Sequence, residues 1–172
     1  GVYGRSKEEG EQAIRARLLR HVIIRTAWVF AAHGHNFVKT MLRLAAERDE
    51  LRVVADQRGC PTAAADLAQA LIEMARQMVA EGRTDAFGTY HFAGDGPTTW
   101  HGFAEAIITA QAARSGRHPN VIPIATADYP TPARRPANSV LDCGKIGRVF
   151  GIRPRPWRET LGEVLEELRA TV

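Results

Sequence analysis

Residues 3–26 read YGRSKEEGEQAIRARLLRHVIIRT. Two elements are joined in that run. Residues 3–20 predict a helix, with Ala13, Ile14 and Leu18 apolar and Arg15, Arg17 and Arg20 near its end, where cations suit the helix dipole. His21-Val22-Ile23-Ile24-Arg25-Thr26 follows as a short apolar, β-branched run, the pattern of a buried strand in a parallel sheet. Helix followed by buried strand is the unit of an α/β fold.

Working outward, the same alternation continues. Trp28-Val29-Phe30 extends past the strand. Ligands of open α/β sheets bind beyond the carboxyl ends of strands, so Trp28 is either a wall of a binding cleft or core. Asn36 is placed to cap a helix over 37–48 with Phe37, Met41, Leu42, Leu44 and Ala45 on its apolar side. Residues 51–54 read as a strand, and DQRGCPT (56–62) as a polar loop held by Gly and Pro. A helix over 66–79 carries Leu67, Leu71, Met74, Ala75 and Met78 on one side, and 88–94 reads as a strand with turn residues after it. After Gly96-Pro97 the pattern changes. Thr98 or Thr99 caps a helix, 121–124 is a short extended piece, 125–141 is proline-rich, Asp142 caps a short helix, and 158–169 is an amphipathic helix.

Composition sets bounds. The 172 residues are 45% hydrophobic and 24% charged, enough to bury a core in one domain or two small ones. No apolar run approaches the roughly 20 residues of a membrane span, and no signal peptide is visible. The net charge is +4, and lysine occurs only at 7, 39 and 145, so the positive charge is almost all arginine. It is scattered rather than gathered in a basic run, which fits a small anionic substrate and gives no footprint for nucleic acid. Cys60 and Cys143 lack metal-site spacing and are expected as reduced thiols in a cytoplasmic protein.

The chemistry centres on Tyr3 and Lys7, one helical turn apart on one face. An ammonium beside a phenol favours the phenolate, so such a tyrosine can pass a proton to a substrate oxygen. His33 and His35 flank a glycine without a third ligand at suitable spacing, so no metal site is assigned. Arg58, Thr62, Arg135 and Ser139 are loop donors suited to a diphosphate or nucleotide. Trp100 follows two threonines and packs an interface or touches substrate, Trp157 is read as a core anchor, and His91 as a core or cleft histidine.

Taken together, residues 3–7, 25–30, 36–44, 56–62, 98–103 and 129–141 (YPTPARRPANSVL) resemble the extended short-chain dehydrogenases/reductases that act on nucleotide sugars. Among these they are similar to the dTDP-4-dehydrorhamnose reductase family. The resemblance implies the C-terminal part of a Rossmann-like parallel sheet plus a small α/β substrate-binding domain. Residues 1–96 would be the remainder of the nucleotide domain, with 31–50 leaning to the substrate side, and 97–172 the substrate domain. It implies reduction of a 4-keto group by NADPH or NADH, with Tyr3 as general acid and Lys7 holding the nicotinamide ribose. Trp28 would lie against the sugar, and Asn36 and Phe37 would face the nucleotide. Nothing in these residues supports a Mg²⁺ site.

The glycine-rich turn that holds a cofactor pyrophosphate has no counterpart here, since Gly94-Asp95-Gly96 lacks the spacing. The expectation is therefore a C-terminal portion, inactive alone, with an open edge at strand 22–25 that invites pairing with another chain or a homodimer. An epimerase or dehydratase of the same superfamily, or a non-catalytic regulatory subunit on the same fold, are the competing functions.

Overall fold

The computed structural model describes residues 1–131 and 135–170. Helix α1 (Val2–Arg17) leads into strand β1 (Val22–Arg25), then β2 (Val29–Phe30), α2 (Phe37–Glu47), β3 (Glu50–Val54), β4 (Arg58–Gly59), β5 (Thr62–Ala63) and α3 (Ala64–Ala80). Next come β6 (Gly88–His91), β7 (Thr98–Thr99), α4 (Trp100–Ser115), β8 (Asn120–Ile124), a 3-10 turn at Thr126–Asp128, α5 (Gly144–Phe150) and α6 (Trp157–Ala170).

The β-branched run of β1 pairs in parallel with β6, from Val22 opposite Gly88 to Arg25 opposite His91. A second parallel pair joins β3 to β8, with Leu51 opposite Val121 and Val54 opposite Ile124. Short ladders connect them: β2 runs parallel to β5, and β4 antiparallel to β7. The expected α/β alternation with parallel strand pairing is thus present. Among the described residues β1 has β6 as its one neighbour, and its other edge is open.

Two cores form, and they interleave along the chain. One gathers Phe30 and Val38 with Leu51, Phe103, Ile107 and Trp157. The other gathers Met74, Tyr90, Phe92, Ile146 and Phe150 under β1 and β6. A single cut at 96/97 does not separate them. Helix α5, from the later half, packs on β6, and β3, from the earlier half, packs with α4; α2 also packs on α4, on the side toward which 31–50 is expected to lean. The cause is the pairing of β3 with β8, which draws 28–63 and 98–124 into one body. Trp157 is a core residue, 3% exposed, as expected.

The local signals hold well. Asn36 caps α2: its side-chain oxygen accepts from the Lys39 N–H at 3.3 Å, and its amide donates to the Ala31 carbonyl at 2.8 Å. Asn36→Ala is expected to cost about 1 kcal/mol, read as a lower urea midpoint at unchanged m-value. Thr99 caps α4 by accepting from the Gly102 N–H at 3.0 Å, whereas α5 has Cys143 rather than Asp142 at its N-cap, and Asp142, one residue earlier, accepts from the Gly144 N–H at 2.7 Å. Helix α1 stops at Arg17 rather than 20, with Leu18 extended at its end. On α3 the buried residues are Ala70 and Met74 with Leu67 and Met78 beside them, whereas Leu71 is half exposed. Leu71, which the sequence groups on the same side, lies at the exposed margin of that buried stripe. No helix among the described residues is long and apolar enough to cross a membrane.

Candidate active site

Helix α1 buries none of its residues, so ion pairs hold it in place. Glu11 accepts from Arg25 Nε at 2.7 Å and Nη2 at 2.8 Å, Glu8 accepts from Arg25 Nη2 at 2.8 Å, and Arg15 pairs with both carboxylates. The Arg25 hydrogen bond holds the Glu11 carboxyl below its ordinary range against the opposing push of burial, with Arg15 adding to it. Arg25 is the last residue of β1. Glu8 and Glu11 are therefore fixed over the carboxyl end of that strand. The eight residues back to Tyr3 carry the helix about 12 Å further at 1.5 Å each. Tyr3 and Lys7 stand on the turns of α1 just before this anchored stretch.

The two side chains share one face, with Lys7 Nζ 5.5 Å from the Tyr3 ring centroid. Tyr3 is 71% exposed, so its hydroxyl is open to a ligand. The ammonium of Lys7 makes no ion pair among the described residues. It is open to oxygen acceptors of a ligand beside the Tyr3 hydroxyl.

Past the same strand end, Trp28 adopts φ +53°, the left-handed region, and no other non-glycine residue among those described does so. For a bulky residue this costs roughly 1–2 kcal/mol and marks a position held by its surroundings. The indole stacks on Trp100 with centroids 3.6 Å apart and planes 13° apart, and Phe37 leans on Trp100 at 4.7 Å. The three rings are partly buried and border the first core. Trp28 is therefore both core border and surface. A sugar has access to its exposed part only, because Trp100 covers one face.

The 56–62 loop shapes this cluster. A Cβ on Gly59 would fall 2.4 Å from Trp28 Cε2, so only glycine lets the indole in. The Asp56 carboxylate accepts the Thr126 N–H and hydroxyl, and Gln57 donates to the same hydroxyl at 3.0 Å. The Thr126 hydroxyl, then its N–H, hold the Asp56 carboxyl below its ordinary range.

The expected nucleotide contacts divide. Arg58 and Arg135 are exposed and make no ion pair among the described residues, and the 137–139 segment lies along Arg58 through its N–H to the Ala137 carbonyl at 2.8 Å. Ser139 donates its hydroxyl to the Arg58 carbonyl at 3.0 Å, so that proton is spent. Asn36 has spent its amide on the cap and on the Ala31 and His33 carbonyls, and a nucleotide contact would require giving one up. Thr62 is corrected. It is fully buried, its hydroxyl donates to the Ala27 carbonyl at 2.8 Å, and it accepts from the Gly94 N–H at 3.2 Å. No ligand reaches it. Residues 132–134, Arg134 among them, lie outside the described residues.

Trp100 is the residue that sequence reasoning weighed mainly as packing. Its signal was positional: a tryptophan directly after the N-cap Thr99 stands at the helix start. Two concavities, of about 220 Å³ beside Asp66 and Arg153 and about 590 Å³ beside Leu71 and Phe87, include neither Tyr3 nor Trp28. The first is ringed by opposite charges and the second is an apolar seam, so neither supplies the chemistry of the Tyr3 face. No group of three or more His, Cys, Asp or Glu able to hold a metal occurs among the described residues.

Comparison with known proteins gives a consistent result. A family profile described as RmlD substrate binding domain matches residues 1–170. The dTDP-4-dehydrorhamnose reductase of Sinorhizobium fredii is 49% identical over 159 residues, which are 92% of this chain and 54% of that protein. The crystal structure of a dTDP-4-dehydrorhamnose reductase from Clostridium acetobutylicum superposes with a TM-score of 0.86 at 36% identity, over 98% of this chain and 56% of that one. The reductase from Bacillus anthracis, solved in complex with NADP, gives 0.84 at 35%, over 97% and 56%. The chain spans about half the length of these relatives.

Proposed function

The chain belongs to the RmlD substrate binding domain family, and from that premise we propose that it carries the proton donor and sugar wall of a cytoplasmic NAD(P)H-dependent reductase converting dTDP-4-dehydro-L-rhamnose to dTDP-L-rhamnose. The observation that supports this best is the exposed Tyr3/Lys7 face, fixed through Glu8, Glu11 and Arg25 over the end of β1, with the Trp28 indole on the extension of that strand.

In this reading Lys7 would hold the ribose of NADPH or NADH, and the cofactor would supply the hydride for reduction at C4 of the sugar. Tyr3 gives its hydroxyl proton to the C4 oxygen, so the ketone becomes an alcohol with charge balanced. Lys7 holds the ribose and offsets the negative charge left on Tyr3. The exposed part of the Trp28 indole meets the apolar C–H face of the deoxysugar. The guanidinium groups of Arg58 and Arg135 suit the diphosphate, because they offer forked donors to its oxygens. Phe37 and Asn36 border the nucleotide side. The open edge of β1 is where a further strand or a second copy would add.

The test is NADPH consumption by the full-length protein with dTDP-4-dehydro-L-rhamnose. Turnover with formation of dTDP-L-rhamnose is expected. A protein that binds the dTDP-sugar yet consumes no NADPH or NADH is a regulatory subunit, and one that isomerises the sugar without net cofactor loss is an epimerase. Either result ends the reductase reading.

A further inference from the structure

Thr62 makes the bonds that hold the Trp28 turn. Its backbone N–H donates to the Trp28 carbonyl at 3.1 Å, and its hydroxyl donates to the Ala27 carbonyl at 2.8 Å, with the Cys60 carbonyl 3.2 Å away. The hydroxyl oxygen in turn accepts the Gly94 N–H at 3.2 Å. The residue has no exposed surface. Two successive carbonyls, at 27 and 28, are thereby fixed by one residue from across the β2–β5 ladder. The residue between those carbonyls is the one in left-handed conformation. A non-glycine residue keeps that conformation only where neighbours over-determine it.

We propose that Thr62 is a positioning residue: its buried hydroxyl locks the left-handed turn at Trp28 and so sets the indole in its stack on Trp100. The hydroxyl acts through Trp28 and touches no substrate. The consequence for activity rests on the reading of Trp28 as the sugar wall, whereas the positional claim stands without it. Unlocked, residue 28 relaxes toward negative φ, the side chain swings away from Gly59 and Trp100, and the wall is lost.

Stacked indoles so close couple their transitions, giving an exciton couplet in circular dichroism that neither ring shows alone. In the full-length protein, Thr62→Val, which keeps the shape and removes the hydroxyl, is expected to abolish the couplet. Thr62→Ala carries the same expectation with less crowding, and Thr62→Ser is expected to retain the couplet. With the wall displaced, KM for the dTDP-sugar should rise about tenfold in the first two variants while KM for NADPH stays unchanged. A couplet that persists in folded Thr62→Val or Thr62→Ala overturns the proposal. So does its loss in folded Thr62→Ser, which keeps every bond named above and tests the proposal even if the other two variants fail to fold. A lost couplet with an unchanged sugar KM upholds Thr62 as the lock and ends the sugar-wall reading of Trp28.

Discussion

Tyr3→Phe in the full-length protein is expected to lower kcat by about 10²–10⁴-fold, the usual contribution of a positioned proton donor. The substitution deletes one oxygen from a ring that is mostly exposed and makes no hydrogen bond among the described residues, so little else changes. The ring stays under Lys7 Nζ, and the Glu8–Arg25 and Glu11–Arg25 pairs that fix α1 are untouched. KM for the dTDP-sugar should therefore move little, because binding is retained and only the transition state loses its proton. Lys7→Met is expected to act differently, raising KM for the cofactor along with lowering kcat, since the ammonium is assigned to the ribose as well. Stopped-flow loss of NADPH absorbance separates the two patterns. A Tyr3→Phe enzyme with undiminished kcat would remove Tyr3 as the acid.

Local signals in the chain were readable and distant ones were not. Asn36 before an apolar period, and Thr99 before Trp100, identify helix starts because a cap is settled within four residues. The strand 22–25 was legible from its β-branched run, but its partner β6 lies more than sixty residues on. The pairing of β3 with β8 is just as remote and decides which segments share a core. That is why a division at 96/97 looked natural in sequence and is absent from the packing. Thr62 illustrates a different limit. A threonine in a polar loop reads as a free donor, and only the fold reveals that its own backbone neighbours use the hydroxyl. Tyr3 and Lys7 were legible because four-residue spacing fixes their juxtaposition in any helix. Trp28 was placed by its position past a strand end, while the second indole over it comes from a helix seventy residues later.

Gly94→Ala is expected to be the most destabilising exchange of a single methyl group, at about 3 kcal/mol. A Cβ there would fall 2.1 Å from the Pro61 carbonyl oxygen and 3.1 Å from Trp157 Cβ. The first neighbour is backbone and cannot rotate aside. Relief requires moving the 57–62 loop, and that motion pulls Thr62 from the Gly94 N–H and from the Ala27 and Trp28 carbonyls. The opposite side is no softer, since Asp95 bonds Arg155 and Trp157 through the backbone and fixes the start of α6. Stability and site geometry should thus fail together, giving a lower urea midpoint and a weakened Trp28–Trp100 couplet in the fraction still folded. Gly162→Ala is the matched control. It lies within α6 with nothing within 4 Å of the added carbon, so helix propensity alone should stabilise it by roughly 0.5–1 kcal/mol. If Gly94→Ala cost no more than about 1 kcal/mol, the close approach of Pro61 to Gly94 would not be what ties the 57–62 loop to the strand end.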